Sequence, residues 1–118
     1  MTDLAQLTAT VRAFSVARDW EQFQDPKSLM LALMGEVGEL SELMQWIPQD
    51  KVVGAFATPE RSDRIGGEIA DVLIYLLRLA DVLGVDPEAA VLAKLARNEE
   101  RFPVAGPASI KGTAPIKN

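Results

Sequence analysis

Apolar residues in this chain recur at steps of three and four, and no stretch sustains the two-residue alternation of a half-buried strand, so the sequence favours helices throughout. Leu4, Leu7, Val11, Phe14 and Ala17 fall on one face of a helix that should run from Leu4 to Arg18. Asp19 to Lys27 carries Trp20, Phe23 and Pro26 and reads as a connection that proline keeps from being helical throughout. Ser28 suits an N-cap for a second helix, expected from Leu29 to Gln45 and ended by Pro48. Residues 46–59, with Pro48, Gly54 and Pro59, read as a loop with room for one short turn. A third helix should span Glu60 to Leu83 with Gly84 at its C-terminus, and Asp86 and Pro87 should open a fourth that reaches Arg101. The expected fold is all-α, a four-helix bundle-like single domain over residues 1–102. Residues 103–118 hold three of the seven prolines and two of the eight glycines with no periodicity, and are expected to form a flexible tail.

Composition narrows the chemistry. A chain of 118 residues with 48% hydrophobic and 25% charged residues has the size and balance of one globular domain. It contains neither cysteine nor histidine, which removes thiol nucleophiles, imidazole bases and Cys/His zinc sites. Any reaction must then rest on carboxylates, lysine, arginine, hydroxyls or a bound metal. The net charge of −5 argues against a nucleic-acid polymer as partner. No window approaches the ~20 apolar residues of a membrane span, and the N-terminus lacks a basic region leading into an apolar stretch. The expectation is a cytoplasmic protein with no membrane partner.

Two pairs of acids stand out. Glu36 and Glu39 lie three apart within the apolar run Leu29–Leu40, and Glu68 and Asp71 repeat the spacing in the third helix. Three residues are about 60° around a helix and ~4.5 Å along it, so each pair shares a face and the two pairs can face each other. Asp71 is flanked by Ile69, Ala70, Val72, Leu73 and Ile74, which predicts surroundings that are largely core, where an unpaired charge is costly. An Arg or Lys, a proton or a metal ion could neutralise the cluster. Between residues 36 and 71 there are eight acids but only Lys51, Arg61 and Arg64 as cations, and none of these falls on the predicted inner stripe of either helix. That balance points to a divalent ion. All-oxygen ligands suit Mg²⁺, with Mn²⁺ also possible, and Mg²⁺ commonly shares its sphere with substrate phosphates, so a triphosphate is the natural guest. The competing reading is a pair of ordinary solvated helix faces. Gly35 and Gly38 cost about 1 kcal/mol each within a helix relative to alanine, which suggests either close helix approach or room for a ligand.

Glu36-Val-Gly-Glu39 followed by Glu68-Ile-Ala-Asp71 resembles the ExxE…ExxD signature of the MazG-like all-α nucleoside triphosphate pyrophosphohydrolases. Arg18-Asp-Trp-Glu-Gln-Phe23, the run from Leu31 to Trp46, the run from Glu68 to Leu77, and Lys94…Asn98…Arg101-Phe-Pro103 look most like the dCTP pyrophosphatase branch, and the resemblance covers roughly residues 4 to 104. It implies Mg²⁺-dependent hydrolysis of a nucleoside triphosphate between the α and β phosphates, giving the monophosphate and pyrophosphate. By the same resemblance Glu36, Glu39, Glu68 and Asp71 would hold metal and form the catalytic set. A metal would screen the triphosphate from these acids and lower the pKa of a bound water, whose proton one of the cluster or Glu42 could take.

Lys94, Arg97 and Arg101 lie at steps of three and four near the end of the fourth helix, and the resemblance points to Lys94, Asn98 and Arg101 as substrate contacts. It also matches Trp20, Trp46 and Tyr75 to the aromatic residues of base recognition. Tyr75, one turn beyond Asp71, could close the sugar pocket against a 2′-hydroxyl. Phe102 stands where relatives often carry tyrosine, which removes a hydroxyl and puts in question any hydrogen bond there. Family relatives form dimers and tetramers, and a four-helix chain this apolar suits a homodimer or homotetramer. Two other functions fit less closely: a broad-specificity house-cleaning pyrophosphatase for non-standard nucleotides, and a non-enzymatic helical interaction module that binds a basic partner.

Overall fold

The computed structural model describes residues 2–104, and every regular element among them is helical. They are α1 (Leu4–Ala17), a single 3₁₀ turn (Glu21–Phe23), α2 (Pro26–Glu42), the one-turn α3 (Val52–Ala55), α4 (Pro59–Val82) and α5 (Pro87–Arg101). The all-α expectation holds, and the short turn expected between residues 46 and 59 is α3. Apart from Val104 and Pro103, the expected tail lies outside the described residues.

Local chemistry explains the boundaries. Asp3 caps α1 in a reciprocal box: its side chain accepts from the Gln6 amide at 2.8 Å while its own N–H donates to Gln6 Oε1 at 2.9 Å. Helices α2, α4 and α5 share one device, a side-chain cap followed by proline in the first turn, with Asp25, Thr58 and Asp86 as the caps. Asp25, and not Ser28, therefore caps α2. Ser28 sits three residues inside, donating its N–H to Asp25 Oδ1 at 2.9 Å and its hydroxyl to Oδ2 at 2.7 Å. Proline breaks helices only in their interior; at the first position its missing N–H costs nothing, so Pro26 starts α2 where the sequence suggested a loop. At the other end α2 stops at Glu42, three residues short of expectation, and residues 43–46 continue as tight turns.

Two helix ends close in the same way. Gly84, at φ +71°, lets the Val85 N–H reach the Ala80 carbonyl at 2.8 Å and its own N–H reach Asp81 at 3.1 Å. Asp19 does the same for α1 at φ +57°, with Trp20 N–H on Ser15 O at 3.0 Å and Asp19 N–H on Val16 O at 3.1 Å. The turn at Asp19 sets where Trp20 leaves the helix.

The chain divides into two compact units, one through Val85 and one from Asp86. In the first, α4 packs along α2 and also against α1, and the buried apolar centre is Leu29 and Leu33 of α2 with Leu77 of α4. The second contains α5, whose last turn closes with Phe102 N–H on Asn98 O at 2.8 Å and the Arg101 guanidinium 5.1 Å above the Phe102 ring. No helix among the described residues is long and apolar enough to cross a membrane.

Candidate active site

The packing of α2 against α4 brings the two acid pairs together. Carboxylate oxygens of Glu36, Glu39 and Glu68 all lie within 4.8 Å of one another. Glu36 and Glu68 are half-buried, and one oxygen of each, Oε2, is buried with no hydrogen-bond partner. Burial is the main cause that holds the Glu36 carboxyl above its ordinary value of 4.5, followed by repulsion from Glu39 and more weakly from Asp71 and Glu68. Glu68 is raised in the same way, by burial first and then by Glu39 and Asp71, with Arg64 acting in the opposite sense. Two orphaned oxygens in a ring of like charges form a site short of positive charge. The donor set is all oxygen and the spacing is close, which fits a hard divalent cation.

Asp71 differs from expectation. It is exposed, because Ala70 and Val72 project about 100° away from it around α4 and Ile74, on its own side, is itself exposed, as are Ile69 and Leu73. It still stands close enough to raise both Glu36 and Glu68.

The four carboxylates divide between two clefts. Glu36 and Asp71 open onto one of about 430 Å³ whose walls include Phe14, Trp20, Gln24, Tyr75 and Arg78. Glu39 and Glu68 open onto the other, about 510 Å³, with Glu42, Gln45 and Arg64. Arg64 thus does reach the acidic face, one helical turn before Glu68, against the expectation that none of the nearby cations would. Both volumes are of the size that holds a small-molecule ligand.

Among the aromatic candidates, Trp20 and Tyr75 meet in the first cleft. Trp20 packs edge-on against Phe14, with centroids 5.7 Å apart and ring planes at 69°. Trp46 is separate: it sits in the turn after α2, 86% exposed, and lines neither cleft. A β-carbon built at Gly35 or Gly38 would meet nothing within 4 Å, so close packing within this chain is not their reason. Lys94, Asn98 and Arg101 all lie on α5, in the second unit, with Lys94 and Asn98 one turn apart on one face.

Two residues of the site, Gln24 and Arg78, carried no mark in the sequence, and Arg64 was placed away from it. Arg78 is buried, with Nε donating to Gln24 Oε1 at 2.8 Å, Nη1 to Asp81 Oδ2 at 2.7 Å, and Nη2 3.8 Å from Glu21 Oε2. Asp81 in turn accepts from Arg12 at 2.6 and 2.8 Å. An arginine set among Leu76, Leu77, Leu79 and Ala80 was a signal equal to that of Asp71.

The MazG-like family model matches residues 32–112. Curated relatives named dCTP pyrophosphatase 1 are similar: that of Bos taurus is 46% identical over 91 residues, 77% of this chain and 54% of its own length, and that of Homo sapiens 46% over 90 residues, 76% and 53%. The chain spans about half the length of the curated relatives it matches. Among solved structures, a pyrophosphatase from Archaeoglobus fulgidus aligns with a TM-score of 0.78 at 36% identity, covering 87% of this chain and 94% of that one. With Glu36 and Glu39 of α2 joined to Glu68 of α4 in one cluster, and sequence and fold both matched over most of the chain, this chain belongs to the MazG-like family.

Proposed function

We propose that the chain hydrolyses a nucleoside triphosphate, dCTP or a modified dCTP before others, to the monophosphate and pyrophosphate. Water would add across the α–β phosphoanhydride: its oxygen bonds to one of the two phosphorus atoms while that atom's bond to the bridging oxygen breaks, and the water's proton passes to a carboxylate or to solvent. The observation that carries this reading is the pair of buried, unpartnered oxygens on Glu36 and Glu68 within a 4.8 Å carboxylate group. Glu36, Glu39 and Glu68, with Asp71 at the edge, would hold Mg²⁺ or Mn²⁺. When bound, that ion screens the triphosphate, polarises the phosphoryl group and acidifies water.

The chain's own residues do the rest. Trp20 and Tyr75 offer ring faces to a base in the first cleft, and Arg64 offers a guanidinium to phosphate oxygens in the second. Lys94, Asn98 and Arg101 supply cationic and amide donors suited to phosphate, and Trp46 is carried as a base contact on resemblance alone. The name of the curated relatives supports cytosine as the base. A homodimer or homotetramer in the cytoplasm completes the reading.

Pyrophosphate release from a panel of dNTPs and NTPs, with Mg²⁺ and with EDTA, tests it. Release should need the metal, rank dCTP first and vanish in Glu39→Gln. No release from any nucleotide would leave a helical binding protein.

A further inference from the structure

Arg78 is the one charged residue buried among the described residues, yet it lines the first cleft together with Gln24, Trp20 and Tyr75. Its charge is balanced on the far side by Asp81 at 2.7 Å, which is itself gripped by Arg12. Its Nε donates at 2.8 Å to Oε1 of Gln24, itself a wall of that cleft. A glutamine amide has a donor end and an acceptor end, and left free it can turn either one to a ligand. Here the acceptor end is taken. Turning the amide over would set NH₂ against a guanidinium N–H, donor against donor, and would forfeit a part-buried hydrogen bond. The Gln24 NH₂ donates to no atom among the described residues.

We propose that Arg78 is a positioning residue that makes Gln24 a donor-only reader of the base, so that the cleft accepts a pyrimidine whose ring N3 is unprotonated and turns away one whose N3 carries hydrogen. Cytosine has the first kind of N3; thymine and uracil have the second. This rests on the nucleotide reading above. A buried donor facing another N–H is left unpaired, and sites of this kind discriminate by unpaired polar groups far better than by size.

The test is kcat/KM for dCTP, dTTP and dUTP in wild type, Gln24→Glu and Arg78→Met, with thermal stability and Mg²⁺ affinity measured alongside. The carboxylate of Gln24→Glu still accepts from Arg78 but donates nothing. It should lower kcat/KM for dCTP by about tenfold or more through KM, leave Mg²⁺ affinity and stability unchanged, and raise dTTP and dUTP relative to dCTP. Arg78→Met frees the amide and should narrow the ratio chiefly because dTTP gains. If Arg78→Met does not fold, Gln24→Glu decides alone. An unchanged ratio, or an equal fall for all three nucleotides, overturns the inference while leaving the pyrophosphohydrolase intact. A wild type that turns over no triphosphate removes the functional reading and this one with it.

Discussion

Asp19 is the only residue other than glycine at positive φ among those described, and its backbone turn delivers Trp20 to the cleft. Aspartate tolerates the left-handed region better than most side chains, and its carboxylate accepts from Gln22 at 3.2 Å. Asp19→Gly should leave stability within a few tenths of a kcal/mol, whereas Asp19→Val should cost about 1–2 kcal/mol in urea unfolding. Titratable residues pull in opposite directions. Asp81 is held below its ordinary 3.8, first by the hydrogen bond from Arg12, so its contribution is present above that value and lost as pH falls through the depressed one. Glu36 and Glu68 sit above 4.5, so without metal the folded chain binds their protons more tightly than the unfolded chain, and stability falls as pH rises through the raised values. Thermal unfolding in EDTA should therefore show wild type weakening at neutral pH relative to mild acid. Glu36→Gln should flatten that slope and melt higher than wild type, and Mg²⁺ should stabilise wild type but not the variant.

At the level of elements, the repeat of apolar residues was enough to find every long helix, because burial on one face is written directly in spacing. Starts were less legible. The cap-then-proline signal that marks Asp86-Pro87 also marks Asp25-Pro26 and Thr58-Pro59, but at Asp25 the later Ser28 offers an equally good cap residue, and only the hydrogen bonds choose between them. The acid pairs were visible because three-residue spacing fixes a shared face, and α2 lying along α4 joins Glu36, Glu39 and Glu68. Arg64, Gln24 and Arg78 were not, since their roles depend on which faces meet across the chain. The burial of Asp71 was misjudged for a related reason: neighbours in sequence are not neighbours on a helix.

As a whole molecule the first unit buries few large side chains fully and leaves many uncovered, including Leu31 at 65% and Phe23 at 66% exposed. Monomeric proteins seldom expose so much apolar surface. Gly35 and Gly38 add bare backbone to α2 with open space above it. A second copy is the expected cover, and light scattering should return the mass of a dimer or tetramer. Leu31→Glu should shift that mass towards the monomer if the Leu31 side of α2 forms the interface.

The two tryptophans stand in opposite settings, Trp20 on the wall of the first cleft against Phe14 and Trp46 in water. The protein therefore carries its own optical probe. Trp46→Phe, which keeps an aromatic ring at the position carried as a base contact, leaves a single tryptophan beside the base-sized opening, and a nucleotide stacking there should quench it in proportion to that variant's occupancy, with no label attached.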